Sequence, residues 1–312
     1  MKFVKPGERV LITGGSGSLG YELTERLTGT DAKIRIFSRD EKKQYDMKKL
    51  YPDCEYYLGD MRDKSAVRDV VRDVDVIIHG ASLKYVNISE VQPYEYVATN
   101  VIGTMNLIDA ILEEGTVRRV IGISTDKACL PVNAYGLTKA LLEKVMLEGN
   151  RRQGEKLRTL FNVARYGNVV GTRGSVVPFW GERKRDGLTL PITNPDMTRF
   201  FFTLEEAAQL VDYALQAPEG LIISKMMRSC TLGELANVMA GEAGVEIMGE
   251  RPGEKEHELL LSDDEMSRSI DKDGYLLFDP SSIPNTKGEA YGSFNAPRIP
   301  DNELKELINE WN

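Results

Sequence analysis

Cysteine and histidine are scarce in this chain of 312 residues. The three cysteines, Cys54, Cys129 and Cys230, are widely spaced and form no CxxC pair, so neither a disulfide framework nor a zinc site is expected. His79 and His257 are the only histidines, which excludes most metal sites and histidine-based catalytic triads. We therefore expect no bound metal and look for acids and bases among other residue types.

Long apolar runs and an excess of positive charge are also absent. No apolar stretch approaches the roughly 18 residues that cross a bilayer, and no signal-type stretch precedes the first strand pattern. We therefore expect a cytoplasmic protein with no membrane partner. The net charge of −8 disfavours a general nucleic-acid binder, although clustered arginines could still hold a phosphate-bearing substrate.

Strand and helix patterns alternate over the first 170 residues. Short apolar runs predict six strands, at Arg9–Thr13, Lys33–Phe37, Glu55–Leu58, Val74–His79, Val117–Ser124 and Arg158–Ala164. Helix patterns lie at Gly20–Leu27, at about Tyr94–Glu113 and from Tyr135 onward. Strands that alternate with helices of this length predict an α/β fold with a doubly wound parallel sheet.

The alternation stops beyond about residue 170. Leu204–Leu215 and Leu232–Ala243 have helix patterns without alternating strands, and Lys272–Pro300 has a loop-like composition before a short terminal helix. We predict a first domain, 1–170, that binds the cofactor and carries the catalytic residues. The second, 171–312, is predicted to be a smaller, partly helical substrate-binding cap, some segments of which could return to the sheet.

A glycine-rich run connects the first strand to the first helix. It contains GxGxxG at Gly15, Gly17 and Gly20, and GxxGxxG when Gly14 is counted. Glycines let the backbone approach a pyrophosphate, which the helix N-terminus then stabilises. The run could also be a glycine turn without a ligand, but the strand before it and the helix after it favour dinucleotide binding. The predicted contacts here are Gly14, Gly17, Ser18, Leu19 and Gly20.

The end of the second strand bears on the type of dinucleotide. An acid at this place binds the ribose 2′-hydroxyl of NAD, whereas an arginine can pair with the 2′-phosphate of NADP. The chain has Ser38, Arg39 and Asp40 here, with Lys43 close behind, and we favour NADP over NAD. The rest of the predicted cofactor set is Asp60, Met61, Ala81, Lys84, Asn100, Tyr135 and Lys139.

Four titratable residues form the candidate catalytic group. Tyr135 and Lys139 are four residues apart and share one face of a helix, where the ammonium would lower the pKa of the phenol toward neutrality. Asp126 and Lys127 end the fifth strand and add a second acid and a second base. Alcohol oxidation alone does not need four such groups, but oxidation coupled to loss of water does. A surface helix pair and a solvated turn are the alternatives without function.

Several longer motifs carry a family resemblance. They are Leu83-Lys84-Tyr85-Val86, Ser124-Thr125-Asp126-Lys127-Ala128, Arg165 to Gly171 (RYGNVVG), Arg173 to Phe179 (RGSVVPF), Met197-Thr198-Arg199-Phe200 and Arg251-Pro252-Gly253-Glu254-Lys255. With the glycine run and YxxxK, these motifs resemble the extended short-chain dehydrogenase/reductase superfamily. Within it they resemble the short, soluble UDP-N-acetylglucosamine 4,6-dehydratases that invert C5. The resemblance extends from about residue 8 to 262.

The resemblance implies a role for each catalytic residue. Tyr135, assisted by Lys139, would take the C4 hydroxyl proton while hydride passes from C4 to NADP⁺. Lys127 would then remove the C5 proton, and Asp126 would protonate the departing C6 hydroxyl. Return of hydride to C6 gives a 4-keto-6-deoxy sugar, so the cofactor is expected to stay tightly bound. Thr125 would orient the sugar or the tyrosine.

Lys127 distinguishes this group from related enzymes. Dehydratases acting on dTDP- or GDP-sugars carry Asp-Glu at this point, where this chain has Asp126-Lys127. A lysine acts as a base at neutral pH only if its pKa falls by about three units. We therefore expect burial or neighbouring cations, such as Lys139 and NADP⁺, to lower the pKa of Lys127.

The same resemblance implies a site for a UDP-sugar. The predicted substrate residues are Lys84, Asn168, Gly174, Ser175, Val176, Val177, Arg199, Arg251 and Glu254. Arg199 and Arg251 are candidates for the diphosphate, and Glu254 would hold Arg251 or reach the ribose. The chain departs from the family at Tyr85, where histidine is usual, and at Cys129-Leu130-Pro131.

Other functions stay open at this point. A UDP-hexose 4-epimerase would need Tyr135 and Lys139 but not Asp126 and Lys127, and a variant dehydratase would release a 5,6-alkene. A non-catalytic NADP-sensing regulator typically lacks the Tyr-Lys pair. We also expect a dimer or higher even assembly through the helices at about 94–113 and 135–148.

Overall fold

The computed structural model describes residues 3–153, 159–172, 174–249, 251–284 and 287–309. The strands are β1 Arg9–Thr13, β2 Lys33–Ser38, β3 Glu55–Leu58, β4 Val76–His79, β5 Arg119–Thr125, β6 Leu160–Tyr166, β7 Asn168–Val169, β8 Leu190–Ile192, β9 Thr198–Phe202, β10 Ile222–Lys225, β11 Arg228–Thr231, β12 Val245–Ile247, β13 Leu259–Leu261, β14 Ser269–Lys272, β15 Tyr275–Phe278 and β16 Tyr291–Gly292.

The helices alternate with these strands in the first half of the chain. They are α1 Ser18–Thr28, α2 Glu41–Leu50, α3 Lys64–Val71, α4 Val86–Val91, α5 Pro93–Tyr96, α6 Gly103–Glu114, α7 Ala134–Arg152, α8 Val176–Arg185, α9 Leu204–Gln216, α10 Leu232–Ala240, α11 Asp263–Met266 and α12 Asp301–Ile308. A π-helical segment, Val97–Ile102, joins α5 to α6, and 3-10 turns lie at Asp126–Ala128 and Gly241–Ala243. No helix in the described part of the chain combines the length and the apolarity that a membrane crossing requires.

In the described part of the chain, the central sheet has nine strands in the order β3-β2-β1-β4-β5-β6-β10-β15-β14. The strands from β3 to β10 are parallel, and β15 and β14 extend the sheet in antiparallel pairing. Strand order reverses between β1 and β4, and their register pairs Thr13 with His79. In doubly wound sheets, ligands bind at the carboxyl ends of the strands beside such a reversal. The predicted α/β fold is therefore confirmed.

The first half of the chain follows the sequence prediction closely. The six predicted strands are present with ends shifted by a few residues, and Arg158, at the predicted start of β6, lies outside the described residues. The predicted helix at 94–113 is present but contains the π-helical segment. Apolar runs such as Val10–Ile12 are fully buried between helices, which explains why they were readable as strands.

The second half differs from the prediction. Strands β8 to β13 lie in a region where helix patterns without alternating strands were recognised. One of them, β10, joins the central sheet directly beside β6, as the prediction allowed for some segments. The tail at Lys272–Pro300 was expected to be loop, but it contains β15 and β16. Most of these strands have two to five residues, too few for alternation to be recognised. The terminal helix, α12, is confirmed.

Two apolar cores support a division of the chain, although the border near residue 170 stays a prediction. The larger core lies on both faces of the central sheet. The smaller one gathers Trp180, Leu190, Leu235, Leu304 and Ile308, from α8, β8, α10 and α12. A second core of this kind is what a small cap needs in order to pack by itself.

Candidate active site

The glycine loop lies between β1 and α1, at the carboxyl end of the parallel strands. Gly14 has a positive φ of 68°, and a Cβ there would stand 2.8 Å from the backbone nitrogen of Ala81. A Cβ at Gly20 would overlap the carbonyl oxygen of Gly15. Side chains are therefore excluded at Gly14 and Gly20. The first N–H groups of α1 have no partner within the helix, an arrangement that can bind an anion.

Two adjoining cavities meet at this loop. The cavity that reaches the predicted catalytic residues, here called the main cavity, has a volume of about 400 Å³ and extends toward the ends of β5 and β6. The predicted cofactor residues in its wall are Gly14, Gly17, Ser18, Leu19, Gly20, Ala81 and Lys84. The predicted catalytic residues in its wall are Thr125, Lys127, Tyr135 and Lys139. The structure thus places the catalytic group and the glycine loop around one space.

The side cavity, of about 550 Å³, extends toward the ends of β2 and β3. The predicted cofactor residues specific to it are Ser38, Arg39, Asp40, Lys43, Asp60 and Met61. The Arg39 guanidinium lies 3.4 Å from the Asp60 carboxylate. Burial alone would raise the pKa of Asp60, but its bonds with Arg62 and the charge of Arg39 bring that pKa below its ordinary value.

Asp40 is occupied by its own helix. It is the N-cap of α2, where its Oδ1 accepts the Lys43 backbone N–H at 2.9 Å. Its Oδ2 lies 2.6 Å from the Lys43 ammonium. A carboxylate with both oxygens engaged is a poorer acceptor for a ribose hydroxyl.

Asn100 lines neither cavity. It lies in the π-helical segment, where its amide accepts from the Leu83 N–H at 2.8 Å and donates to the Leu83 carbonyl and the Thr138 hydroxyl at 3.1 Å each. The residue therefore fixes the loop that carries Lys84 and connects it to α7. A π-helical turn is a common device for turning a side chain out of the regular helix.

The catalytic turn follows β5 directly. Thr125 caps the 3-10 turn by accepting the Lys127 N–H at 3.4 Å, and its hydroxyl donates to Asp126 Oδ1 at 3.0 Å. Asp126 is fully buried behind the cavity wall, and its Oδ2 has no hydrogen-bond partner among the described residues. Burial and the charge of Glu258 raise the pKa of Asp126 despite the nearby Lys127. A raised pKa suits a carboxyl group that must donate a proton.

Lys127 lies between two carboxylates. Its ammonium is 3.1 Å from Asp126 Oδ1 and 3.0 Å from Glu258 Oε1. Burial lowers the pKa of Lys127, but the two carboxylates outweigh burial and the net shift is upward. The expectation that the surroundings lower the pKa of Lys127 is therefore wrong for the groups of the chain itself. The sequence could not show this because Glu258 comes from a distant segment.

Tyr135 and Lys139 lie on one face at the start of α7, as predicted. Tyr135 is buried, and burial raises its pKa to about 12 despite the charge of Lys127 and a hydrogen bond with Thr125. The expectation that Lys139 lowers the pKa of the phenol is thus wrong, because the cation that acts on Tyr135 is Lys127. The Lys139 ammonium donates to the Ile123 carbonyl at 2.5 Å, and burial lowers its pKa to about 8 although Glu143 opposes the shift.

The predicted substrate residues divide into two groups. Lys84, Asn168, Gly174 and Ser175 line the main cavity, and Asn168 Oδ1 is buried without a partner among the described residues. Val176 and Val177 begin α8 below this wall, and Val177 belongs to the smaller core. Arg173, part of the same motif, lies outside the described residues.

The two predicted diphosphate arginines lie apart from the cavity wall. Arg199 is 5% exposed, and its guanidinium donates to the Thr198 and Glu256 carbonyls and to Glu254 Oε1 at 3.0 Å. Glu254 therefore holds Arg199, whereas it was expected to hold Arg251. Arg251 is exposed at the surface.

An ion-pair network around the buried Arg165, which the sequence did not predict, connects α7 to β13 and α11. Arg165 is 1% exposed, and its guanidinium donates to Glu143, to Glu265 and to the Leu260 carbonyl at 2.7–2.9 Å. Glu143 also accepts from Ser124 at 2.6 Å. The only sign of this network in the sequence was the presence of charged residues within apolar stretches. That pattern does not show which charged residues pair with each other.

Comparisons with known proteins give a consistent relationship. Residues 10–279 match a family model described as "Polysaccharide biosynthesis protein". A UDP-N-acetylglucosamine 4,6-dehydratase (inverting) from Campylobacter jejuni is 42% identical over 97% of this chain and 97% of that protein. A UDP-glucose 4-epimerase from Rickettsia bellii is 37% identical over 96% of this chain and 94% of its own length. The X-ray structure of Pen from Bacillus thuringiensis has a TM-score of 0.92 and 29% identity, and the match covers 98% of each chain. The chain therefore belongs to this polysaccharide biosynthesis family, within the extended short-chain dehydrogenase/reductase superfamily that its motifs resemble.

Proposed function

We propose that this protein is a UDP-N-acetylglucosamine 4,6-dehydratase that inverts C5. The observation that carries the proposal is the placement of Tyr135 and Lys127 in the wall of the main cavity, with the buried Asp126 3.1 Å from the Lys127 ammonium. Together they supply one proton acceptor for an alcohol and an acid–base pair for loss of water. The name of the 42% identical relative from C. jejuni supports the same reaction. Elimination needs the acid and the second base, whereas epimerisation needs neither.

The loop and the two cavities fit NADP. The glycine loop and the start of α1 would hold the pyrophosphate, and Arg39 and Lys43 in the side cavity would pair with a 2′-phosphate. Asp40 is engaged with Lys43, which favours NADP over NAD. When bound, the cofactor supplies the chemistry that side chains lack, by accepting hydride from C4 and giving it back at C6.

Cofactor choice can be tested at Arg39. Replacement by alanine removes a charged hydrogen-bond donor worth about 1.5–3 kcal/mol, so the affinity for NADP⁺ should fall roughly 10- to 100-fold. The affinity for NAD⁺ should stay within about threefold, since NAD⁺ has no 2′-phosphate. Calorimetric titration of refolded, cofactor-stripped protein measures both. Equal losses for the two dinucleotides would argue against the proposed phosphate contact.

The residues of the catalytic turn act in sequence on the sugar. Tyr135 takes the C4 hydroxyl proton, supported by the charge of Lys127 and a hydrogen bond with Thr125. The family resemblance assigns Lys139, one turn further along α7, to the same step. The resulting 4-ketone acidifies C5, from which Lys127 removes a proton. Asp126 protonates the C6 hydroxyl, which leaves as water. Each such acid–base contribution accelerates its step by about 10² to 10⁴.

The proposed elimination needs a neutral amine at Lys127 and a carboxylic acid at Asp126, and the contact between these two side chains can supply both. With a raised lysine pKa, the pair rests as ammonium and carboxylate. Passage of one proton across the 3.1 Å contact gives an amine and a carboxylic acid, the two forms that the elimination requires. The net charge of the pair does not change, so this transfer costs less in a buried site than separate titration of each group.

The sugar nucleotide is assigned to the main cavity and its rim. Lys84, Asn168 and the start of α8 offer donors near the catalytic turn. Arg251, which is exposed, can turn toward a diphosphate, whereas Arg199 would have to exchange its contact with Glu254 for one with a phosphate.

A UDP-hexose 4-epimerase is the second candidate, favoured by the name of the 37% identical R. bellii relative. One assay separates the two functions. The protein is incubated with UDP-N-acetylglucosamine and no added cofactor, and the product is analysed by mass spectrometry and NMR. Loss of one water with a 4-ketone and a C6 methyl group is the expected result. A product of unchanged mass with inverted C4 would establish epimerisation instead.

We also propose that the chain forms a dimer through the helices that follow β4 and β5. Val97, Ile102 and Met105 on one side and Leu137 and Leu141 on the other are 42–57% exposed, an unusual apolar content for a surface. Light scattering with size-exclusion chromatography should give an even multiple of the chain mass, and Leu141→Glu should reduce it. A monomeric wild type would contradict this proposal.

A further inference from the structure

Among the described residues, Glu258 is the one charged group in contact with Lys127 that the reaction described above does not use. Its carboxylate is 3% exposed and lies 3.0 Å from the Lys127 ammonium, on the segment that leads into β13. It does not line the main cavity, whereas Lys127 does. Glu258 therefore acts on a ligand through its charged neighbours, of which Lys127 is the one it contacts in the cavity wall, and not by touching the ligand.

The backbone around Glu258 is fastened firmly beside the catalytic turn. The Glu258 N–H donates to the Ser293 hydroxyl at 2.9 Å, and the Ser293 N–H donates to the Glu258 carbonyl at 2.8 Å. The Lys255 ammonium donates to the Cys129 carbonyl at 2.6 Å, just after the turn. Leu260 accepts from the buried Arg165 at 2.9 Å. The carboxylate is thus held on rigid structure, which is how a side chain fixes the position of another.

We propose that Glu258 is a positioning residue that holds the Lys127 side chain as an ammonium in the wall of the main cavity and thereby sets the pH at which C5 proton removal begins. The inference builds on the proposed dehydratase function, because it assigns the control of its second base. Glu258 is thus a third member beside the Asp126–Lys127 pair. Lys127 exchanges a proton with Asp126, and Glu258 holds the Lys127 side chain in place.

The charges around this group determine the sign of the effect. Lys127 faces Asp126 and Glu258, which favour its charged form, and Arg199, which opposes it. Glu258 faces Lys127, Arg199 and Lys255, and these cations bring its pKa below the ordinary value although burial alone would raise it. Glu258 therefore stays ionised over the working range. Removing its charge must make the ammonium easier to deprotonate, typically by about one to three pH units for a charge this close.

The test is the pH dependence of C5 hydrogen exchange with deuterated solvent, measured by NMR on UDP-N-acetylglucosamine. In Glu258→Gln the rise of log rate with pH should be displaced to lower pH by about one to three units relative to wild type. Glu258→Asp keeps the charge and should keep the wild-type shape. The matched control is Glu256→Gln, which removes an exposed carboxylate from the same segment and should leave the profile unchanged.

A purely structural role for Glu258 predicts a different result. It would lower the rate by one factor at every pH, so a Glu258→Gln profile that superimposes on wild type after scaling overturns the inference. A second measurement, ¹³C NMR titration of the Lys127 ε-carbon, needs no turnover. A lower titration midpoint in Glu258→Gln supports the inference even if the wild type does not dehydrate the sugar, whereas an unchanged midpoint refutes it even if the wild type does.

Discussion

The two lysines of the active site lie in contrasting surroundings. The region of Lys139 is built from one helix and the adjacent strand, and its ammonium donates to the backbone carbonyl of Ile123. The region of Lys127 is built from the turn after β5 and the segment before β13, and its ammonium lies between two carboxylates. Burial lowers the pKa of Lys139 to about 8, while Asp126 and Glu258 raise that of Lys127.

This difference shows that burial by itself does not determine the charge of a lysine. A neutral carbonyl leaves the desolvation penalty largely in force, whereas two carboxylates reverse it. Lys139 is thus placed to change its charge near physiological pH, and Lys127 is placed to keep its proton until a neighbour accepts it. The proposed function assigns these regions to C4 and C5 of the sugar, respectively.

The strongest test of this division replaces each lysine by methionine, which keeps the length but removes the charge. Lys127→Met should lower product formation and C5 exchange by about 10² to 10⁴, because only the base at C5 is lost. It should still bind NADP⁺ and the sugar nucleotide. Lys139→Met should lose C4 oxidation as well, so no 4-ketone should form in a single turnover. Rapid-quench mass spectrometry distinguishes the variants, and wild-type C5 exchange in Lys127→Met would remove Lys127 from the proposed role.

The second test concerns Arg165, which connects the two regions through Glu143 and Glu265. Arg165→Met leaves the buried carboxylate of Glu143 and the partly buried carboxylate of Glu265 without their partner. It should lower the free energy of unfolding by about 3–5 kcal/mol. Urea denaturation followed by circular dichroism measures the loss. The matched control is Arg68→Met, which breaks an exposed pair with Glu113 and should leave the midpoint unchanged. Equal effects of the two substitutions would show that the network is no more important than a surface pair.

The third and smallest expected effect is the difference between the pKa values of Lys139 and Lys127. Lysine ε-carbons report their charge in ¹³C NMR of selectively labelled protein. Lys139 has a lowered pKa, so its ammonium should be present below and lost above a midpoint near pH 8. Lys127 has a raised pKa, so its midpoint should lie well above that of Lys139. Coincident midpoints would remove the contrast between the two regions.

The sequence predicted the cofactor half of the molecule better than the substrate half. The glycine loop, β1 to β6 and the pairing of Tyr135 with Lys139 depend on contacts within one strand–helix unit, and local periodicity reveals such contacts. The charge of Lys127 depends on Glu258, and the engagement of Arg199 depends on Glu254. Those contacts are made by short strands and turns that only the assembled fold brings together, so no sequence pattern predicts them.

The upward shift in the pKa of Tyr135 also could not be predicted from the sequence. The spacing to Lys139 was correct, but the interior that surrounds the phenol outweighs any nearby cation. The role of Asn100 was also unreadable, because its contacts with Leu83 and Thr138 depend on a π-helical turn that has no sequence signature.

The guanidinium of Arg165 has a mechanical consequence. All five of its N–H donors are engaged, toward α7 on one side and toward β13 and α11 on the other. A hinge motion that moved the C-terminal segment away from the sheet would have to break these hydrogen bonds of the buried Arg165. We therefore expect the rim between Tyr85 and Ser175, and not the segment held by Arg165, to move if the proposed sugar nucleotide enters the main cavity.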